Sequence, residues 1–517
     1  MKNKYLLPLA TLSVLLVGCG GSSKKDNTPI PPPVTPPPTV SNLMQQAEND
    51  RVANNAAAVS VAIYHQGEVV FADAVGTRLP NGDVPVDRNT LFQIGSTTKV
   101  MTSIAALQLI EDGKISRDDK LVDSLSNLTY PEIHGDYWQS IRLDWLMTHQ
   151  GAFDDAYDGL ELNDDLLTYM SQDFTIDNGL MNKPGQFFNY SNPNYSFLGA
   201  VVAEQSGMDY ASYMHQEVFA PLGMTRSTFD NQQASEDGNF ALGISDLSGT
   251  NEPKTDISEL IAPEAVLPAG GNTWSTPTEM LQLAKFLMDG NEQVLTEQNV
   301  QSITAKHVAM PGPTSLHYGY GMIMSDGFVY NNQWYPIKIY QHGGNANDNA
   351  YTSLFYLFPE HDLAVSVLSS GTNDDLTGTL VAALEHVDLL PEPTPFALPT
   401  VNTQHFDKFA GEYNVDGISL TIARQNNKLT LSIPLFDAQN ISYSKTLYAY
   451  SANSFVLEIN DEQLLFTFVS TDNGQTFDYF VNRNAVATRV KEGGTVNMNT
   501  TGQSKLLEIN TKQFNFN

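Results

Sequence analysis

The chain has 517 residues, of which 41% are hydrophobic and 10% aromatic, so it can bury sizeable cores and its length predicts two folded parts with accessory segments. Its 27 basic and 58 acidic residues give a net charge of -31, which repels phosphate backbones, so we expect no nucleic-acid partner. The single cysteine excludes structural disulfides and thiolate metal sites.

The N-terminus reads as an export signal. Lys2 and Lys4 precede an apolar run, Tyr5 to Val17, that is too short to span a bilayer, and Gly18-Cys19 follows. Small residues before a lone cysteine resemble the lipobox of bacterial lipoproteins, in which that cysteine is diacylated. An ordinary signal peptide with a chance cysteine is the alternative. We predict a lipoprotein signal peptide over 1–19, lipidation at Cys19 and export to the cell envelope, anchored on a periplasmic or outer-surface face.

Residues 20–41 combine Gly20-Gly21-Ser22-Ser23 with a proline cluster, so they cannot pack a core. We expect an extended tether there, although a docking site for a proline-motif partner is the sharper alternative.

Residues 42–390 are predicted to form an α+β domain, an antiparallel sheet plus a helical lobe. Alternating apolar residues and the turn signal His65-Gln66-Gly67 predict an N-terminal hairpin. Apolar residues on nearly every face predict a buried helix from Thr97 to Glu111. The predicted strands are Val59 to Tyr64, Val69 to Val75, Tyr318 to Met324, Val329 to Tyr330, Trp334 to Gln341, Tyr351 to Phe358 and Leu363 to Leu368, and a helix over Leu376 to Val387 closes the domain.

A proline-rich linker over 391–401 separates this domain from a second one over 402–490, and a polar tail follows over 491–517. Short strands at regular spacing, divided by signals such as Asp472-Asn473-Gly474, predict a small all-β barrel-like domain. The predicted strands are Ile418 to Ala423, Leu429 to Ile433, Ser442 to Tyr450, Phe455 to Ile459, Leu464 to Val469 and Phe477 to Val481. We expect this domain to be an accessory module that does not supply the nucleophile.

Three short motifs stand in order along the first domain: Ser96-Thr97-Thr98-Lys99, Tyr190-Ser191-Asn192 and His342-Gly343-Gly344. Singly they are weak, because Ser-x-x-Lys also occurs at Ser22 to Lys25 and Ser442 to Lys445. The first motif is distinguished from its chance copies by the buried helix that it begins. A serine at the start of a buried helix lies near unpaired N–H groups, and a lysine one turn later reaches the same oxygen. Burial lowers a lysine pKa, so Lys99 can serve as the base that an unassisted hydroxyl needs. A capping serine beside a solvated lysine is the alternative.

The other two motifs are locally ambiguous. Tyr190 can share or relay the serine proton if nearby cations lower its pKa, and Asn192 can hold Lys99 or a substrate amide. A packed tyrosine beside a helix-capping asparagine explains the same residues. His342 to Gly344 follows a predicted strand, Ile337 to Gln341, and its glycines allow close backbone approach. The N–H of Asn345 can then complete an oxyanion hole with that of Ser96. A hairpin turn with an incidental histidine is the alternative.

Together the motifs resemble the serine penicillin-recognising family: class C β-lactamases, DD-peptidases and related esterases and D-amino-acid peptidases. The resemblance covers Asn42 to Leu390. Leu146-Met147-Thr148-His149-Gln150-Gly151 looks like the family's Leu-Leu-Thr-His-Thr-Ser-Gly segment, and Ala269-Gly270-Gly271 with Ser275-Thr276 looks like its Ala-Gly-Gly-x-x-Ser-Thr segment.

The resemblance implies Ser96 as acyl-accepting nucleophile, Lys99 as its proton partner and Tyr190 as general base and then acid. It also implies Asn192 as a structural and substrate contact and His342 to Gly344 as the third element lining the cleft. Asn192, His342, Gly344 and Asn345 are therefore the predicted substrate and oxyanion contacts, and we expect no cofactor. One departure is that this chain has His-Gly-Gly where β-lactamases of this class, and most DD-peptidases, carry Lys-Thr-Gly. A mostly neutral histidine attracts a substrate carboxylate less than lysine does, so esters and D-amino-acid peptides are favoured over β-lactams.

Other classes fit less well. The chain has no Gly-x-Ser-x-Gly, and none of its 10 histidines is followed by glutamate, which excludes the α/β-hydrolase elbow and the His-Glu-x-x-His metalloprotease. Asp154, Asp155, Asp158 and Asp164-Asp165 do not match an EF-hand loop, so we expect no metal site. A catalytically inactive envelope-binding or regulatory lipoprotein remains the alternative from another class.

Overall fold

The computed structural model describes residues 41–132, 135–154, 166–173, 180–245, 252–260, 269–311, 315–346, 350–371, 374–396, 401–415, 417–460, 462–483 and 485–491. The predicted signal peptide with Cys19, the tether up to residue 40, Asp155 to Asp165 of the acidic loop and the tail from residue 492 lie outside these residues.

The first domain is built on an eight-stranded sheet in which every pairing is antiparallel. The predicted N-terminal hairpin lies at one edge, and its first strand pairs with Leu363–Ser369 from the end of the domain. From that edge the strands are Glu68–Gly76, Ala58–His65, Leu363–Ser369, Tyr351–Phe358, Ile339–Ala346, Ile323–Ser325, Leu316–Tyr318 and Val308–Met310. The antiparallel sheet and helical lobe predicted from the sequence are thus confirmed.

Alternating side chains of the sheet enter two different cores. Val59, Val61 and Ile63 face a pair of helices, Ser41–Ala53 and Thr377–His386. Ala58 and Ala62 face the helical lobe on the other side. The chain therefore folds as a sheet covered on both faces.

The helical lobe is organised around Thr98–Glu111, whose residues are buried from Thr98 to Leu107 without interruption. A helix that is apolar on every face is stable only inside a core, as the sequence predicted. The remaining α-helices of the described lobe are Leu121–Ser124, Gly135–Trp138, Leu143–Met147, Leu166–Thr168, Asn192–Ser206, Tyr210–Tyr213, Ala220–Leu222, Asn231–Asp237, Pro277–Asp289 and Glu297–Ile303. Short helical turns of other types are Gly95–Thr97, Tyr169–Asp173, Met214–Phe219 and Ile257–Glu259, and short paired strands are Phe92–Gln93 with Trp274–Ser275 and Ile244–Ser245 with Glu252–Pro253.

The second domain is a closed eight-stranded antiparallel barrel. The strands that close it, Gly411–Val415 and Ala485–Arg489, were not predicted as strands from the sequence. Its core is apolar and rich in phenylalanine. Between the closing strands run Ile418–Gln425, Lys428–Ser432, Thr446–Ala449, Ser454–Ile459, Glu462–Val469 and Tyr479–Asn482. A short helix, Thr403–Lys408, precedes the barrel, and another, Pro434–Gln439, follows its third strand.

Three strand predictions were wrong in detail. Tyr318 to Met324 is two strands of a hairpin, because the chain reverses where Gly321 adopts a φ of +87°. Trp334 to Gln341 divides at Pro336, which has no N–H for a ladder, into Gln333–Tyr335 and Ile339–Ala346. Gln333–Tyr335 joins Phe328–Tyr330 and Thr394–Pro395 in a separate small sheet. Ser442 to Tyr450 is a strand only over Thr446–Ala449.

Within the described ranges, no helix is both long enough and apolar enough to cross a membrane.

Candidate active site

The Ser96 turn is shaped by its neighbours on both sides. Phe92–Gln93 pairs with Trp274–Ser275, and the chain then turns at Gly95, whose φ of +52° is one that side-chain-bearing residues rarely adopt. The turn Gly95–Thr97 leads directly into the buried helix that starts at Thr98. Ser96 therefore lies at the N-terminal end of that helix, only 3% exposed, where the helix dipole favours negative charge.

Lys99 has no exposed surface, and its amine contacts three acceptors. Nζ lies 3.0 Å from Ser96 Oγ, 2.7 Å from Asn192 Oδ1 and 2.5 Å from Gly270 O. The amide and carbonyl oxygens can only accept, so they orient two amine N–H groups. The third tetrahedral position faces Ser96 Oγ, where it carries either a proton or, in the neutral amine, the lone pair that accepts the serine proton. This arrangement can activate a hydroxyl nucleophile.

Tyr190 lies immediately before the helix Asn192–Ser206 and is 3% exposed. The Lys99 amine is 5.1 Å from the centre of its ring. The four predicted residues Ser96, Lys99, Tyr190 and Asn192 therefore come together in one buried cluster.

His149, which sequence reasoning did not single out as a site residue, stacks on Tyr190 with ring centroids 4.1 Å apart. Its Nδ1 accepts the backbone N–H of Ser191 at 3.1 Å, so a neutral ring carries its proton on Nε2. Burial, followed by the charge of Lys99, holds the pKa of His149 well below its usual range, and the ring is neutral at pH 7. The sequence signal that could have identified His149 is the segment Leu-Met-Thr-His-Gln-Gly, which contains this histidine and contributes to the family resemblance.

His342 lies inside the strand Ile339–Ala346 and not at its end, which corrects the prediction that Gln341 closes the strand. The side chain is 1% exposed, and burial together with the Lys99 charge lowers its pKa to about 3. Its Nδ1 donates to Gly343 O at 2.6 Å, since a carbonyl can only accept, and the Tyr318 hydroxyl donates to Nε2 at 3.2 Å. His342 is therefore a neutral, hydrogen-bonded histidine close to the cluster formed by Ser96, Lys99, Tyr190 and Asn192.

Gly344 and Asn345 place their backbone against the Ser96 turn. A Cβ on Gly344 would lie 2.1 Å from Ile94 O and 2.7 Å from Ser96 N, and one on Gly95 would lie 2.6 Å from Asn345 N. Such distances leave no room for a side chain at either glycine. The two amides that would form the oxyanion hole, those of Ser96 and Asn345, thus belong to chain segments in direct backbone contact; their role stays a prediction.

The described chance copy of the first motif has a different environment. Lys445 is exposed on the barrel and contacts Asp437 and Tyr443. Among the described residues, Lys445 makes no hydrogen bond to Ser442, whereas Lys99 makes a buried hydrogen bond to Ser96. Within the described part of the chain, no group of three or more histidine, cysteine, aspartate or glutamate side chains could hold a metal ion.

Known proteins resemble this chain along most of its length. Residues 42–387 match the family model described as Beta-lactamase. The curated protein "Penicillin-binding protein 4*" of Bacillus subtilis is 22% identical over 390 residues, covering 71% of this chain and 82% of its own.

Solved structures share the fold. The octameric penicillin-binding protein homologue from Pyrococcus abyssi superposes with a TM-score of 0.59 at 20% identity, covering 87% of this chain and 100% of its own. A D-amino acid amidase from Ochrobactrum anthropi, solved with L-phenylalanine, gives a TM-score of 0.54 at 20% identity, covering 68% of this chain and 100% of its own.

Proposed function

The chain belongs to the beta-lactamase family, and on that premise we propose that it is a serine hydrolase that forms an acyl-enzyme on Ser96. The observation that carries the proposal is the 3.0 Å contact between Lys99 Nζ and Ser96 Oγ inside a buried cluster. A nucleophile within hydrogen-bond reach of a base, itself oriented by other groups, is the arrangement that covalent catalysis needs.

The proposed reaction has two halves. Lys99, alone or through Tyr190, takes the proton of Ser96 while Oγ bonds to the substrate carbonyl carbon. The N–H groups of Ser96 and Asn345 stabilise the oxyanion. Tyr190 then delivers the Ser96 proton to the leaving group as its bond to the carbonyl carbon breaks, which returns Lys99 and Tyr190 to their starting protonation states. In the second half, water attacks the carbonyl carbon of the acyl-enzyme and gives its proton to the same two residues. The bond to Ser96 Oγ then breaks, the acid is released and Ser96 regains its proton.

We propose esters or D-amino-acid peptides as substrates in preference to β-lactams. The third motif presents His342, a neutral residue, and so lacks the lysine that attracts the substrate carboxylate in β-lactamases of this class. The structural similarity to a D-amino acid amidase supports amides of D-amino acids as a class to test.

A substrate panel tests this proposal. The full-length protein is assayed with aryl esters, D-amino-acid peptides and a chromogenic cephalosporin, beside Ser96→Ala and the matched control Ser442→Ala, which removes the serine of the chance motif. We expect ester or D-peptide turnover that Ser96→Ala abolishes and Ser442→Ala retains. No turnover across the panel would favour the inactive envelope-binding protein, and turnover that survives Ser96→Ala would refute the nucleophile.

The location of the protein is a separate proposal, based on the sequence around Cys19. We propose that Cys19 is lipidated and anchors the protein to an envelope membrane. Labelling with a radioactive fatty acid in the bacterial host should be lost in Cys19→Ala. Equal labelling of both proteins would contradict the anchor.

A further inference from the structure

The barrel domain contributes a charged residue to the Ser96 site. Arg483 lies in the turn between the barrel strands Tyr479–Asn482 and Ala485–Arg489. The carbon of its guanidinium group is 4.4 Å from the centre of the Tyr190 ring. The Lys99 amine is 5.1 Å from the same centre, so the phenol ring of the proposed acid–base residue has two basic side chains beside it.

The turn that carries Arg483 is fixed to the first domain. Asn189, the neighbour of Tyr190, donates its side-chain N–H to Arg483 O at 3.0 Å. The hydroxyl of Tyr479 donates to Gln186 Oε1 at 2.7 Å. An apolar contact between the domains is formed by Phe187, Val481 and Val486. These contacts hold Arg483 beside the site and do not depend on its own side chain.

The position of Arg483 beside Tyr190 places it near the leaving group of the substrate. If Tyr190 protonates the leaving group, then the leaving group lies beside the Tyr190 hydroxyl when the bond breaks. A group that contacts the Tyr190 ring is therefore near the leaving group. The amine of Lys99 contacts Ser96, Asn192 and Gly270. The side chain of Arg483 is half-buried at the domain contact.

Charge points to the kind of group that Arg483 would bind. His149 and His342 are both neutral at pH 7, because burial and the Lys99 charge lower the pKa of each ring. The charge of Arg483 also contributes to the lowered pKa of His149, so its field reaches the cluster. A guanidinium group is always charged and forms paired hydrogen bonds with a carboxylate.

We propose that Arg483 is a specificity-determining residue that binds a carboxylate on the leaving group of the substrate. This inference rests on the proposed hydrolase function. It assigns the barrel a part in substrate selection, in place of the accessory role expected from the sequence. Removal of the barrel would then change which substrates react, even where Ser96 is still acylated.

The test compares two substrates that differ only in this charge. One is an N-acyl-D-amino-acid ester of a D-2-hydroxy acid, and the other is the same ester with the terminal carboxylate replaced by a carboxamide. We measure kcat and KM separately for the full-length wild type, Arg483→Ala, Arg483→Lys and Arg424→Ala. Arg424 is a matched control, because it is a barrel arginine whose side chain contacts Asp407 and Asn426.

We expect the wild type to prefer the carboxylate substrate and Arg483→Ala to reduce that preference about 10- to 100-fold, the range for a lost hydrogen bond to a charged group. Arg483→Lys should keep part of the preference, and Arg424→Ala should keep all of it. Thermal unfolding shows which variants are folded. If Arg483→Ala does not fold, the comparison of Arg483→Lys with the wild type still tests the preference.

Two results would overturn the carboxylate site while leaving the hydrolase intact. One is a wild type that hydrolyses both substrates without preference. The other is an Arg483→Ala variant in which kcat/KM falls equally for both substrates, which would show that Arg483 acts through Tyr190 or the fold. A wild type that hydrolyses neither substrate, or a Ser96→Ala variant that hydrolyses both, would instead refute the proposed function and this inference with it.

Discussion

The imidazole of His149 stacks on the phenol ring of Tyr190, with ring centroids 4.1 Å apart, and the backbone N–H of Ser191 holds the imidazole at Nδ1. The residue after Tyr190 thus fixes the ring against which Tyr190 packs. Ring packing thus helps to orient Tyr190, and the role of its hydroxyl is tested separately.

Tyr190→Phe removes the hydroxyl and keeps the stacking. Because the ring contacts remain, we expect a melting temperature close to that of the wild type. We expect kcat to fall at least about 10²-fold, the lower range for a lost acid–base group. Steady-state kinetics on an ester substrate and thermal unfolding measure the two effects. Near-normal turnover in the folded variant would show that Tyr190 has no acid–base role.

Lys99→Met replaces the amine by a side chain of similar length without a charge. We expect kcat to fall at least about 10²-fold, because Ser96 then lacks its proton partner. The carbonyl of Gly270 and the amide oxygen of Asn192 also lose a donor, so the unfolding free energy should fall by about 1–3 kcal/mol. Urea unfolding and single-turnover acylation measure both. Acylation at the wild-type rate would refute the assigned role.

Gly344→Ala and Gly343→Ala form a matched pair on one strand. At Gly344 an added Cβ would meet Ile94 O at 2.1 Å and Ser96 N at 2.7 Å, so the backbone must move where the oxyanion hole is proposed. At Gly343 the nearest atom is Ser353 O at 3.4 Å, an ordinary contact. We expect kcat to fall about 10²-fold or more in Gly344→Ala and only a few-fold in Gly343→Ala. Equal effects would contradict the close approach.

His342 predicts how stability depends on pH. Its pKa is lowered to about 3 in the folded protein by burial and the Lys99 charge, against 6.5 ordinarily. Between these values the unfolded chain binds the proton and the folded chain does not, so acid favours unfolding there. This histidine removes about 1.4 kcal/mol of unfolding free energy per pH unit as the pH falls below 6.5.

His342→Gln should therefore lose less stability than the wild type between pH 7.5 and pH 5, as measured by urea unfolding. The variant keeps an acceptor for the Tyr318 hydroxyl. His149 and the carboxylates contribute to both proteins, so the difference in slope reports His342. Identical slopes would show that His342 takes up a proton in the folded state.

The sequence predicted the elements whose signal is local. The buried helix after Ser96 was predicted because it has apolar residues on nearly every face. The hairpin before it was predicted from the turn signal His65-Gln66-Gly67, and the structure shows Gln66 and Gly67 at positive φ there. The close approach of Gly344 to Ser96 N explains why glycine stands in the third motif, but the placement of that motif inside a strand depends on pairing with Tyr351–Phe358.

Other features depend on contacts between distant parts of the chain. No local pattern indicates that Asn189 binds the backbone of Arg483, because those residues are 294 positions apart. The strands that close the barrel, Gly411–Val415 and Ala485–Arg489, are short, and their pairing is settled only when the other barrel strands bring them together. Short residue patterns therefore identified the three motifs, whereas the contacts around those motifs could not be predicted from the sequence.

The central claim is that Ser96 is acylated, and the most direct measurement is the site of a covalent adduct. The full-length protein is treated with a fluorophosphonate or a fluorescent penicillin, digested and analysed by mass spectrometry, with Ser96→Ala and Ser442→Ala in parallel. We expect one adduct, on the peptide containing Ser96, which is present in Ser442→Ala and absent from Ser96→Ala. An adduct on another residue, or equal labelling of Ser96→Ala, would contradict it.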